Sequence, residues 1–272
     1  MNVQDDLNRR TMSARKVVLE YAGEDKTSFI APEKAAMDCI AGEAKGKPVL
    51  DLGVGGGRTV KPLLGVSADY LGIDYSKEMV EACQAKYPGI RFERMDARDM
   101  QGIADRSIFL VLFSMNGLSM VGHGDRLQIL REVHRVLVPG GAFIFSTYNN
   151  ASADARRGFR LPPHHLAGVR SPIDVIDVMR RAASFALRTV AGLRNRSRYK
   201  KHEERGAGFA IVNDMCHDYA TMLYYVDMQE QGRQLADAGF AVETIRMWER
   251  SGDPAGEGTT DSSVTILVRK AG

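Results

Sequence analysis

Cysteine is scarce: the chain has only Cys39, Cys83 and Cys216 in 272 residues, and no two are spaced as C-x-x-C. This excludes a disulfide framework and points to reduced thiols. No Cys/His set has the spacing of a zinc site, and no carboxylate set stands out for magnesium, so we expect no metal. Long apolar runs are absent too; residues 108–113, one of the longest, fall far short of the ~20 that a spanning helix needs. The opening MNVQDDLNRRTMSARK is polar and lacks a secretory core. Together these absences predict a cytoplasmic protein. With 44% hydrophobic and 26% charged residues, the chain can bury a full core.

Net charge is only +3 but uneven. Residues 151–205 hold 13 Lys/Arg against 5 Asp/Glu, a surplus of 8, which leaves −5 for the rest. Aromatics are sparse in that block, with Phe185 and Tyr199 the main ones, which argues against a base-stacking platform.

Residues 49–59, VLDLGVGGGRT, organise the chain. Val49, Leu50 and Leu52 suit a short buried strand, Asp51 sits near its end, and Gly53, Gly55, Gly56 and Gly57 follow. Strand, glycine turn and helix start form a cradle in which a ligand lies against bare main chain. The dinucleotide fingerprint G-x-G-x-x-G/A is not met, since Arg58 holds its last position, and no Lys-Ser/Thr completes a phosphate loop. A carboxylate at Asp51 repels pyrophosphate but suits an ammonium group. S-adenosylmethionine (SAM) fits: its amino group meets Asp51, and its carboxylate meets loop amides and Arg58. A plain tight turn in an α/β protein would also account for the glycines.

The rest of the chain alternates. Helices are expected over residues 5–22 and 32–43. A second strand over 68–73 ends at Asp74, ~19 residues behind Gly55, where an acid reaches ribose hydroxyls in doubly wound folds. Ser76 caps the next helix. A third strand, 90–95, is followed by Asp96, placed to accept from an adenine amino group. A nearly continuous apolar strand, 107–113, leads into Ser114-Met115-Asn116-Gly117. A helix over 125–137, with Leu127, Leu130, Val133 and Leu137 inward, stops at Pro139-Gly140-Gly141, and a fifth strand covers 142–147. Such alternation implies a parallel sheet with ligands beyond the carboxyl ends of its strands.

In order, VLDLGVGGGRT, LGIDYSKEMV, RMDARDM, LFSMNG and LREVHRVLVPGGAFIFSTYN resemble the motifs of the class I SAM-dependent methyltransferases, over about residues 45–150. LFSMNG with FIFSTYN resembles a bacterial subgroup of that family. The resemblance implies a Rossmann-like, doubly wound, seven-stranded sheet with a helical insertion after strand five. It gives Asp51, Gly53, Gly55 and Gly57 to the methionine part of SAM, Asp74 to the ribose, and Asp96 with Ala97 to the adenine. Tyr75 and Met79 would flank the adenosine, and Phe113 would contact the cofactor. One departure is Phe109, where the family commonly has Asp.

We expect one domain: N-terminal helices over 1–44, a SAM-binding core over 45–148, a basic helical insertion over 149–214 capping the substrate, and a helix with closing strands over 215–272. Within the insertion, Ser171-Pro172-Ile173-Asp174 reads as a helix start, with a helix to about Arg194. Ile176, Met179, Ala182, Ala183, Ala186, Val190 and Leu193 share one face, Arg181 and Arg188 lie opposite, and Arg180 stands at the edge. Three readings stay open here: an amphipathic lid packed on the core, a cap drawing in an anionic substrate, or nucleic-acid or membrane-surface binding. On the acceptor side we single out Asn116, Tyr148, His164, His165, Tyr224 and Tyr225, with His217 as candidate general base. The expected reaction is methyl transfer to O or N of a small metabolite or sugar-type intermediate. RNA methylation through the basic block and non-catalytic SAM binding are the alternatives.

Overall fold

The computed structural model describes residues 3–23, 27–156, 158–161 and 172–272, with side chains of the last segment from Val178 onward. Helices α1 (Val3–Met12), α2 (Arg15–Ala22), α3 (Ala31–Asp38) and α4 (Ala41–Ala44) precede strand β1 (Val49–Leu52). The helix expected over 5–22 is thus two, α1 and α2. Then come α5 (Val60–Leu64), β2 (Tyr70–Asp74), α6 (Lys77–Lys86), β3 (Phe92–Arg94), β4 (Ile108–Phe113), α7 (His123–Val136) and β5 (Leu137–Asn149). The chain continues through α8 (Pro172–Tyr199), β6 (Glu204–Gly206), β7 (Phe209–Asp214), β8 (Thr221–Val226), α9 (Met228–Asp237), β9 (Phe240–Trp248), β10 (Pro254–Ala255) and β11 (Ser263–Lys270).

Five strands are parallel, in the order β3-β2-β1-β4-β5. β11 pairs antiparallel with both β5 and β9, and β10 closes a hairpin on β9. At the carboxyl end of β5, Tyr148 and Asn149 pair with Tyr225 and Val226 of β8, which carries β7 and β6 as an antiparallel extension. The sheet therefore counts eleven strands among the described residues, not the expected seven. The segment after β5 is a long helix followed by strands, not helical throughout. The two-residue alternation of strands splits the core: Leu50, Val111, Phe143 and Phe145 face one helical layer, and Val49, Leu110, Leu112 and Ile144 face the other. Phe109 lies under the Lys47 ammonium, 3.8 Å from its ring centre.

Helix α7 buries Ile129, Leu130, Val133 and Val136, but also Arg126, while Leu127 is only half-buried. Arg126 is fully enclosed and donates to Gln234 Oε1 (2.9 Å), Gln231 Oε1, the Leu118 carbonyl (3.0 Å) and Thr147 Oγ1 (3.2 Å). These four acceptors are neutral, and burial lowers its pKa to about 10. Helix α1 lies against β8, whereas α3 packs on a face of the sheet with Leu110, Ile144 and Leu267. Asn8 of α1 donates to the Met222 carbonyl (2.7 Å) and accepts from the Met222 amide (2.9 Å), imitating a strand neighbour for β8.

Candidate active site

The loop after β1 turns through left-handed backbone at Gly53 (φ 66°), Gly55 (φ 51°) and Gly57 (φ 79°), which only glycine adopts freely. A side chain on Gly56 would sit 2.0 Å from the Tyr21 carbonyl oxygen, so the end of α2 rests directly on the loop. Lys86 of α6 ties the two by donating to the Ala22 (3.4 Å) and Gly56 (3.3 Å) carbonyls. Phe113, at the end of β4, lies against Gly53 and Gly117.

Asp51 is buried at the floor. Its Oδ2 accepts from Thr59 Oγ1 (2.7 Å) and Tyr70 OH (2.9 Å), while Oδ1 has no partner. Burial outweighs those two bonds and raises its pKa to about 6. Asp74, at the end of β2, accepts from the Gly55 amide (3.0 Å) and the Ser76 amide (2.9 Å), so it shapes the loop. Burial also raises its pKa, against those backbone bonds. Met79 is buried in α6, one turn in, its amide capped by Ser76 Oγ at 3.3 Å.

Two expected contacts are otherwise engaged. Arg58 donates to both carboxylate oxygens of buried Glu33 (2.7 and 2.9 Å), to Ser114 Oγ (2.5 Å) and to the Ser28 carbonyl (2.5 Å). It links the glycine loop to α3 and to the turn after β4. Asp96 is held by Arg9 of α1 (2.5 Å) and by Arg98 (2.7 Å), and Arg9 lies 4.6 Å from the centre of the Tyr75 ring. Burial would raise the Asp96 pKa, but the arginine hydrogen bonds win and hold it at about 2. Ala97, beside it, packs against the core.

A cavity of about 650 Å³ opens beyond the carboxyl ends of β4 and β5. Asn116, Tyr148 and Tyr225, three of the residues singled out in the sequence, line it. Asp214, Cys216 and Arg160 line it as well; the sequence offered no pattern that marks them. Asp214 accepts from Tyr225 OH (2.8 Å) and from the Cys216 amide (2.9 Å). Burial raises the pKa values of Tyr148 and Tyr225, and pushes that of Cys216 up to about 12.

Tyr224 is not part of the cavity. Alternation along β8 turns it to the opposite side, where its hydroxyl meets His123 Nδ1 (2.7 Å) and Gln234 Nε2 (3.0 Å), and Arg126 lies 4.8 Å from its ring centre. His217 does not line the cavity either. It begins three consecutive left-handed residues, His217 (φ 49°), Asp218 (φ 55°) and Tyr219 (φ 62°), a conformation costing roughly 1–2 kcal/mol for each non-glycine residue. Asn213 holds this turn through the Tyr219 carbonyl (2.8 Å), and Arg188 of α8 through Asp218 (3.0 Å). His164 and His165 lie outside the described residues. Among the described residues, no group of three or more His, Cys, Asp or Glu is placed to hold a metal ion, and no helix is long and apolar enough to cross a membrane.

Residues 49–141 match the methyltransferase domain family. Over 127 residues the chain is 28% identical to a Mycolicibacterium smegmatis protein named probable S-adenosylmethionine-dependent methyltransferase, covering 46% of this chain and 48% of that one. Over 107 residues it is 32% identical to a ubiquinone biosynthesis O-methyltransferase of Aliivibrio fischeri, covering 38% and 45%. The chain thus spans about half the length of the curated relatives it matches. The 1,6-didemethyltoxoflavin-N1-methyltransferase of Burkholderia thailandensis, solved with 1,6-didemethyltoxoflavin and S-adenosylhomocysteine bound, shares the fold at TM-score 0.55 and 15% identity, over 100% of this chain and 92% of that one. Residues 49–141 thus resemble a methyltransferase domain, in a chain that shares the fold of S-adenosylmethionine-dependent methyltransferases.

Proposed function

We propose that the chain is a SAM-dependent methyltransferase that methylates an oxygen or nitrogen of a small polar metabolite, such as a sugar-type intermediate. The observation that carries this reading is the unpartnered, buried Asp51 Oδ1 at the floor of a left-handed glycine loop. A buried carboxylate oxygen without a donor is costly, and the ammonium of an amino-acid cofactor suits that oxygen in both charge and hydrogen bonding. Gly53, Gly55 and Gly57 would take the methionine part on bare backbone, and Asp74, Tyr75 and Met79 the ribose and adenine. Asp96 and Arg58 serve by fixing α1 and α3 over the cleft.

SAM supplies a methyl group on a sulfonium sulfur that is already activated. The protein's task is alignment and exclusion of water. The cavity volume suits a small molecule, and its lining offers hydrogen-bonding groups from Asn116, Tyr148, Asp214 and Tyr225. Asp214, fixed by Tyr225 and the Cys216 amide, replaces His217 as the group to take the acceptor's proton.

The test is incubation with labelled SAM and small-molecule extract, followed by mass analysis of the methylated product. Asp214→Asn should lower kcat by about 10²-fold or more with SAM affinity unchanged. His217→Ala should leave kcat within a factor of about two, since the side chain is away from the cavity. Label transfer to RNA but not to small molecules would overturn the acceptor assignment.

A further inference from the structure

Helix α8 sits on the body the opposite way from an ordinary surface helix. Its polar side faces inward: Arg188 pairs with Asp218 (2.9 Å), Asn195 donates to the Asp218 carbonyl (2.9 Å), and Arg196 binds Glu203 and the Asn213 carbonyl (2.8 Å). Gly192 lets the helix approach Tyr219, with a would-be Cβ contact at 3.4 Å. The apolar side faces out. Met179 is 67% exposed, Leu187 72%, Val190 65% and Leu193 51%. At 100° per residue, Met179, Ala183, Ala186, Val190 and Leu193 form one stripe, and Leu187 flanks it. The lid reading, with this stripe packed on the core, is therefore wrong: its core-facing side is held by ion pairs and side-chain hydrogen bonds instead.

Charge identifies what fits the stripe. Between Asp177 and Glu203 there are eight Lys or Arg residues and no acidic one. Arg180, Arg194 and Arg198 border the stripe and are exposed, and Lys200 and Lys201 continue the charge beyond the helix end. A second copy of this chain would bring the same uncompensated positive face against it. A single-stranded nucleic acid would find no aromatic stripe on which to stack. An exposed apolar stripe bordered by arginines is the pattern of a helix lying in the plane of an anionic bilayer, with aliphatic side chains in the acyl boundary and cations at the headgroups.

We infer that α8 docks the protein on the surface of an anionic lipid membrane. The same helix, through Arg188 and Asn195, holds the left-handed turn whose Tyr219 lines the acceptor cavity, so docking brings the cavity's rim towards the bilayer. This inference does not depend on the proposed reaction.

The test is co-sedimentation of the full chain with vesicles of phosphatidylcholine alone and of phosphatidylcholine mixed with phosphatidylglycerol. Binding is expected to the mixed vesicles, to weaken with added salt, and to be nearly absent on phosphatidylcholine. Leu187→Glu and Val190→Glu, at side chains that touch little, should each lower partitioning by at least about tenfold while the thermal midpoint stays unchanged. Arg194→Glu should lower it by about fivefold or more. No sedimentation with anionic vesicles, or binding indifferent to the two glutamate variants, overturns the inference. So does a dimer seen by light scattering that Val190→Glu dissociates, which would assign the stripe to a second copy. Salt-sensitive RNA binding with no anionic-vesicle binding would overturn it as well.

Discussion

Gly56→Ala tests whether α2 is built onto the glycine loop. The new Cβ would stand 2.0 Å from the Tyr21 carbonyl oxygen, 2.4 Å from its carbon and 3.0 Å from the Ala22 nitrogen. All three are backbone atoms, so no side-chain rotation relieves the clash. Ordinary contact distances are about 3.5 Å, so the end of α2 must retreat by roughly 1.5 Å. Such overpacking typically costs about 1–3 kcal/mol. The retreat would also stretch the two Lys86 bonds and disturb the buried Val17 and Val18. Urea unfolding should show a lower midpoint with little change in slope, and hydrogen exchange should quicken across residues 15–22. Gly124→Ala is the control: nothing lies within 4 Å of its would-be Cβ, and it stands in α7, so stability should hold or rise by up to about 1 kcal/mol. If Gly56→Ala behaves like Gly124→Ala, α2 does not rest on the loop and the closed cradle is wrong.

Arg58→Met should destabilise by about 3–5 kcal/mol, because it strands the buried Glu33 carboxylate; adding Glu33→Gln should recover most of that loss in the same urea assay. Asp51→Asn should remove a pH dependence. The Asp51 pKa rises on folding to about 6, so the native state binds the extra proton. Wild-type stability therefore contains a term that is favourable below the unfolded value near 4 and is lost as pH rises through about 6. Asp51→Asn should flatten the stability profile across that window and weaken SAM binding; a profile identical to wild type would show that Asp51 ionises freely. His217→Gly should be neutral or stabilise by up to about 1 kcal/mol, since glycine relieves the left-handed φ, and a thermal melt reads it.

The glycine loop and the helix start after β2 were legible because their signals are local. Gly53, Gly55 and Gly57 fall where φ must be positive, and Ser76 caps the helix the sequence assigns to it. The cavity beyond β4 and β5 depends on pairings between distant segments. Nothing local marks β8 as the partner of the end of β5, and that pairing decides that Tyr225 enters the cavity and Tyr224 leaves it. Periodicity in α8 showed an apolar stripe but not which way it faces; that is set by Asp218, Glu203 and Asn213, all outside the helix. Arg126 looks like a solvent-facing charge in α7, but distant segments supply its acceptors: Gln231 and Gln234 of α9, the Leu118 carbonyl and Thr147.

The central claim is that the glycine loop with Asp51 and Asp74 holds SAM. Titration calorimetry of the full chain with SAM and with S-adenosylhomocysteine tests it directly. Both should bind wild type. Asp74→Ala, which removes the acceptor of the Gly55 and Ser76 amides, should weaken both by about tenfold or more. Failure of either ligand to bind the folded wild-type protein would contradict the account.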